Sequence, residues 1–203
     1  GYTINKKRLA KNYHAFLKVI EQVKTLLPSG GAVDAGSAME LVKMFADTWL
    51  SLDAYDKSNL PKSGLTKKQV EFAADELIHA LQKLKQELVA KSQATDLFGS
   101  ERGGQSVAGI VGNIFQTFDG EDVYPTVEEK AAHLLYFMVK NHPYADGNKR
   151  SGAFSFVWFL KKAGILNPLR LTAEALTALT LFVAESNPKD KEKMVGLILL
   201  LLN

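Results

Sequence analysis

Two apolar helical stripes joined by a short polar turn constrain this chain more than any other feature. Upstream of the turn, Ala131, Leu134, Leu135, Met138 and Val139 recur at the i, i+3, i+4, i+7 spacing of a buried helix face. Downstream, Ser151 to Ala163 carries Ala153, Phe154, Phe156, Val157, Trp158, Phe159 and Leu160 on every side, which predicts the central, buried helix. Between them runs His142-Pro143-Tyr144-Ala145-Asp146-Gly147-Asn148-Lys149-Arg150. Asp146-Gly147 is turn chemistry, because Gly tolerates positive φ and Asp caps backbone N–H groups. Stripes of the same period and capping boxes recur along the chain, so a mainly helical, all-α architecture is expected. A turn that feeds a helix N-terminus also aims unpaired N–H groups and the positive end of the helix dipole at one spot. Such a spot attracts phosphate.

The side chains of the turn are parts that phosphoryl or nucleotidyl transfer needs. His142 supplies a base, and imidazole is the side chain whose charge changes near neutrality. Asp146 supplies a hard carboxylate for Mg²⁺, Asn148 an amide, and Arg150 a guanidinium able to grip phosphate oxygens with two bonds. The same residues admit a plainer reading, in which His142 complements the dipole at a helix C-terminus and Asp-Gly-Asn only reverses the chain.

The order of these residues resembles the signature of the Fic/Doc (Fido) family, His-x-Phe-x-(Asp/Glu)-Gly-Asn-(Gly/Lys)-Arg. It matches at His142, Asp146, Gly147, Asn148 and Arg150. Tyr144 departs from the family's Phe, which anchors the loop in the core. Lys149 stands where adenylylating members carry Gly and the Doc branch carries Lys. Ala153 stands where a second Arg commonly follows. The resemblance covers Ser92 to Leu202 and is firmest over Asp119 to Leu160.

The resemblance implies a Fic-like helical bundle with a short β-hairpin flap, here residues 92–203, behind an N-terminal helical annex of residues 1–91. It implies ATP as donor, Mg²⁺ as cofactor and a Ser, Thr or Tyr hydroxyl of a protein as acceptor. His142, Asp146 and Arg150 would then be catalytic: His142 as base, Asp146 as the Mg²⁺ ligand, Arg150 stabilising phosphate charge. Gly147, Asn148, Lys149 and Arg150 would bind the nucleotide phosphates. Thr117, Phe118, Asp119 and Gly120 would form the flap that docks the target. Pro143 and Gly147 match the adenylylating majority, so AMP transfer ranks first. Lys149 and Ala153 favour the alternative of Doc-like phosphoryl transfer, the reaction of a toxin-type protein kinase. A degenerate, non-enzymatic Fic module that docks a partner is the third reading. The inhibitory motif Ser/Thr-x-x-x-Glu-Gly/Asn that restrains many relatives is not found, so restraint would come from a separate, antitoxin-like protein or from further sequence.

In chain order, Leu9, Phe16, Leu17, Ile20, Val23 and Leu27 predict a helix over Asn5 to Leu27, ended by Pro28-Ser29-Gly30-Gly31. Ser37 with Glu40 opens a second helix bearing Leu41, Val42, Phe45, Trp49 and Leu50. Thr66 with Gln69 predicts the cap of a third, striped by Val70, Leu77, Ile78, Leu81, Leu84 and Leu88. The Ser- and Gly-rich stretch Ser92 to Gln105 reads as a boundary between two units. Asp119-Gly120, between Ile114–Phe118 and Val123-Tyr124, is the best hairpin signal in the chain. Thr126 with Glu129 caps the helix that delivers His142, and Asn187-Pro188 starts the last one. His14, His79 and His133 have no partner at metal-ligand spacing and read as structural, His133 as half-buried.

The 203 residues suffice for a sizeable core, with 46% hydrophobic and 23% charged side chains. A net charge of +3 is too weak and too scattered to argue for nucleic acid. The absence of cysteine rules out disulfides and thiolate metal sites and fits a reducing compartment, so a cytoplasmic protein is expected. The longest apolar run, Leu197 to Leu202, is far short of the roughly 20 residues that span a bilayer. No signal peptide is visible, and a chain opening on Gly1 reads as a piece of a longer protein.

Overall fold

The structure, a computed structural model, describes residues 60–104 and 106–203. The helices expected at Asn5 to Leu27 and after Ser37, with His14 and Trp49, lie outside the described residues. Among the described residues six α-helices follow one another: α1 (Ala74–Ala90), α2 (Val107–Ile114), α3 (Val127–Lys140), α4 (Asn148–Lys162), α5 (Ala173–Glu185) and α6 (Lys191–Leu202). A two-stranded hairpin, β1 (Thr117–Phe118) and β2 (Glu121–Asp122), lies between α2 and α3, and a 3₁₀ turn, Pro188–Asp190, leads into α6. Among the described residues the fold is mainly helical with one antiparallel hairpin, as expected.

The central helix is α3, not the Phe-rich segment after the turn. Twelve of its fourteen residues are buried, against six of fifteen in α4. Hydropathy conceals this, because the first turn of α3 is Glu128, Glu129 and Lys130. Each finds a partner that lets it be buried. Glu129 accepts from the Thr126 N–H (2.9 Å) while Thr126 Oγ accepts from the Glu129 N–H (3.3 Å), the expected capping box. Lys130 donates to Asp122 and to the Tyr124 carbonyl, both at 2.7 Å. Leu134, Leu135, Met138 and Val139 then line the core at 0 to 1% exposure. At roughly 1.5–3 kcal/mol per fully buried aliphatic side chain, this stripe anchors the bundle. α4 lies close along α3 because Gly152 has no side chain; a Cβ there would stand 2.8 Å from Val139 Cγ2.

The third helix does not begin at Thr66. It begins at Ala74, and Thr66 is occupied elsewhere: its hydroxyl and N–H donate to the Glu128 carboxylate at 2.6 and 3.1 Å, and its carbonyl accepts from Val127 N–H. A tertiary partner has taken the residue that local pattern marked as a cap. Gly64 lies against the same carboxylate, too close to accept a side chain. α1 then contributes Leu77 and Leu81 to the common core with α2, α3 and α4.

The hairpin is shorter than its signal. Ile114 and Phe115 close α2, and the ladder is confined to Thr117↔Asp122 and Phe118↔Glu121. The turn itself is as read, with Asp119 at φ 52° and Gly120 at φ 83°, the pair of left-handed residues that a two-residue hairpin needs. At the other end of the bundle, Asn187 caps the 3₁₀ turn before α6, so the Asn-Pro start is one turn early. No described helix is long and apolar enough to cross a membrane.

Candidate active site

The turn between α3 and α4 carries His142 and Asp146, both exposed, and Asn148 and Arg150 follow on the first turn of α4. α3 ends at Lys140 with Asn141 as its C-cap, and the next residue, His142, takes φ 48°. That left-handed conformation is uncommon outside glycine and is cheaper for Asn, Asp and His than for branched residues. Pro143 and Tyr144 then turn inward and are buried, while the His142 ring stays exposed and makes no hydrogen bond to any described residue. Tyr144 takes the anchoring place expected of a Phe, at 4% exposure. Burial, and then the nearby Glu101 carboxylate, push its phenol up to about 12, so it remains neutral and cannot serve as a base near pH 7.

Asn148 clamps this loop from the first turn of α4. Its Oδ1 accepts from the Tyr144 N–H (2.9 Å) and its Nδ2 donates to the Tyr144 carbonyl (2.8 Å). Gly147, at φ 87°, caps α4 without a side chain, and the first helical bond is Ser151 N–H to the Gly147 carbonyl at 2.8 Å. The N–H groups of Asn148, Lys149 and Arg150 therefore have no intrahelical acceptor. The Asp146 carboxylate accepts from Gly147 N–H at 2.7 Å and stands 3.7 Å from Arg150 Nη2, with its side chain 51% exposed. Lys149 is exposed beside it.

A strap from Asp96 to Arg102, within the Ser- and Gly-rich stretch, forms the wall of this loop. Backbone bonds run from Gly99 N–H to the Asp146 carbonyl (3.1 Å), from Ala145 N–H to Ser100 (2.8 Å) and from Arg102 N–H to Pro143 (2.7 Å). Lys85 of α1 ties the strap down through the Asp96 carbonyl. Phe98, fully buried, lies under Gly147 and under the Arg150 guanidinium. The signal available in sequence is a pair of large apolar residues, Leu97 and Phe98, inside a polar Ser/Gly stretch, of which Phe98 is the one buried.

Thr117, Phe118, Asp119 and Gly120 form an exposed hairpin tip, with Phe118 81% exposed. Among the described residues no hydrogen bond or ion pair joins them to the His142 loop. Their tether is Asp122, held by the buried Lys130.

Behind the hairpin, His133 is more buried than expected, stacked on Tyr124 at 3.8 Å with Nδ1 donating to the Glu129 carbonyl at 2.8 Å. Burial chiefly lowers its pKa, from 6.5 to about 4, with Lys191 acting the same way; the Glu129 carbonyl and Glu192 act against it. The fold therefore holds the imidazole neutral, and unfolding lets it bind a proton. This stability is complete above pH 6.5 and is lost as pH falls toward 4, by roughly 3 kcal/mol at the limit. Urea unfolding of the wild type and of His133→Gln between pH 7 and 4 should show the wild type's advantage shrinking by that order. A constant difference would contradict the assignment.

Comparison with known families matches residues 66–160 to the Fic/DOC family. No curated protein and no solved structure matches the chain. The matched segment runs from Thr66, which holds Glu128, to Leu160 at the end of α4, and so takes in the strap, the hairpin and the whole His142–Arg150 loop. Over that segment the chain is similar to the Fic/DOC family.

Proposed function

We propose that this protein transfers the AMP moiety of ATP to the hydroxyl of a protein Ser, Thr or Tyr. The observation that carries the reading is the exposed His142 in the same turn as Asp146, leading directly into Arg150 and an α4 N-terminus that has no side-chain cap, within the matched segment. His142 takes the proton from the attacking hydroxyl. The freed oxygen bonds to the α-phosphorus, and pyrophosphate leaves. The free N–H groups of α4 and the Arg150 guanidinium stabilise the charge that builds on the phosphate oxygens, usually the largest catalytic contribution. Asn148, with both polar ends on Tyr144, holds the loop in shape and offers its remaining N–H to the phosphate. Lys149 adds positive charge beside the phosphates.

Asp146 fits a magnesium ion that arrives with the nucleotide. Its carboxylate is half exposed and has one oxygen engaged only by the distant Arg150, and no group of three acidic or His side chains competes for a metal among the described residues. One carboxylate plus substrate phosphates is a common Mg²⁺ arrangement. When bound, the ion would neutralise phosphate charge.

Lys149 and Ala153 favour a second reading, transfer of the γ-phosphoryl group with ADP leaving. Lys149 projects charge where a Gly would leave room, and Ala153 offers no second guanidinium for the outer phosphates. Incubation of the protein and a cell lysate with ATP labelled at either the α or the γ phosphate separates the two. Label from the α position is expected. Label from γ alone would establish the second reading, and Lys149→Gly with Ala153→Arg should then move label toward α. No label from either, with Mg²⁺ present, would overturn the enzymatic reading in favour of a docking module. The expected setting is cytoplasmic, with a separate inhibitory protein as the source of restraint.

A further inference from the structure

We infer that Phe98 is a positioning residue for Arg150, holding the guanidinium ready for the phosphates of the nucleotide. The role rests on the reading of Arg150 as a phosphate ligand. Phe98 is fully buried yet stands apart from the continuous hydrophobic core of the bundle. Its burial is supplied by the loop instead. The ring faces Gly147, whose added Cβ would stand 2.3 Å from two ring carbons, and the Arg150 Cζ stands 4.6 Å from the ring centroid, in cation–π range.

A second group fixes the same guanidinium from another direction. Arg150 Nη1 donates to the Gln93 carbonyl at 2.9 Å. That carbonyl is itself held by the turn that ends α1, in which Ser92 takes φ 56° and the N–H groups of Ser92 and Gln93 return to the Val89 and Leu88 carbonyls. Arg150 is thus oriented by a π face below and a rigid carbonyl beside it. Both come from the strap and the end of α1, and neither lies in the motif. An arginine half exposed to water, at 46%, would otherwise sample many rotamers, and binding would have to order it.

The test is a double-mutant cycle read by binding of ATP with Mg²⁺. Phe98→Leu keeps an apolar side chain of similar reach but removes the π face. It should weaken binding roughly three- to thirty-fold, the worth of one cation–π contact, in the wild-type background. In an Arg150→Ala background the same substitution should cost less than about twofold, because the group being positioned is gone. A purely structural role predicts equal losses in both backgrounds, and that result, or no loss in either, would overturn the inference.

A measurement on the unmutated protein covers the case in which Phe98→Leu fails to fold. The Nε–Hε resonance of Arg150, identified by its disappearance in Arg150→Lys, should lie upfield of its random-coil position because of the Phe98 ring current. A random-coil position would refute the pairing. An upfield resonance in a protein that binds no ATP would instead sink the transferase reading and leave the pairing standing.

Discussion

Gly147→Ala is expected to destabilise the protein by about 2–5 kcal/mol and to abolish transfer. Two costs add. At φ 87° any side chain carries the left-handed penalty of roughly 1–2 kcal/mol. The new Cβ would also meet the Phe98 ring at 2.3 Å, and relief requires moving either a fully buried ring or the loop itself. Overpacking of that kind costs a further 1–3 kcal/mol or so. Because Phe98 also lies against the Arg150 guanidinium, the displacement reaches that side chain. Gly164 provides the control: it has φ 73° and open space around it, so Gly164→Ala should show the backbone penalty alone. Urea midpoints of the two variants give the difference directly. Equal losses would mean that the close approach to Phe98 contributes nothing.

The parts of this protein legible in its sequence are those whose cause is local. The Thr126/Glu129 box is closed by residues three apart, and the Asp119-Gly120 turn by two residues that tolerate positive φ. The His142–Arg150 loop was readable for the same reason: Gly147 and Asn148 shape it from within. What escaped was set by distant partners. Thr66 carries a cap signature but gives its hydroxyl to Glu128, 62 residues on. α2 is eight residues long and contains Gly109 and Gly112, so its propensity is poor, and it is held by packing and by the Ser106 cap on the Gly109 N–H. The strap joins the loop through backbone groups, and backbone pairing leaves no side-chain pattern to find. α3 hid its centrality behind Glu128, Glu129 and Lys130, whose burial depends on Thr66, Thr126 and Asp122.

His142→Asn isolates the proposed role of the exposed His142 as the base of a transfer reaction. Asn tolerates the left-handed conformation at φ 48° better than other residues with a Cβ, so the turn should persist. The ring makes no hydrogen bond to a described residue, so stability should change by no more than about 0.5 kcal/mol. Removing a positioned base typically costs about 10²–10⁴ in rate. The deciding measurement is therefore label transfer from α-labelled ATP to protein by wild type and His142→Asn, side by side, with matched unfolding curves. The expected result is label from the wild type and at least about a hundredfold less from the variant. A fully folded His142→Asn that labels at the wild-type rate would contradict the assignment.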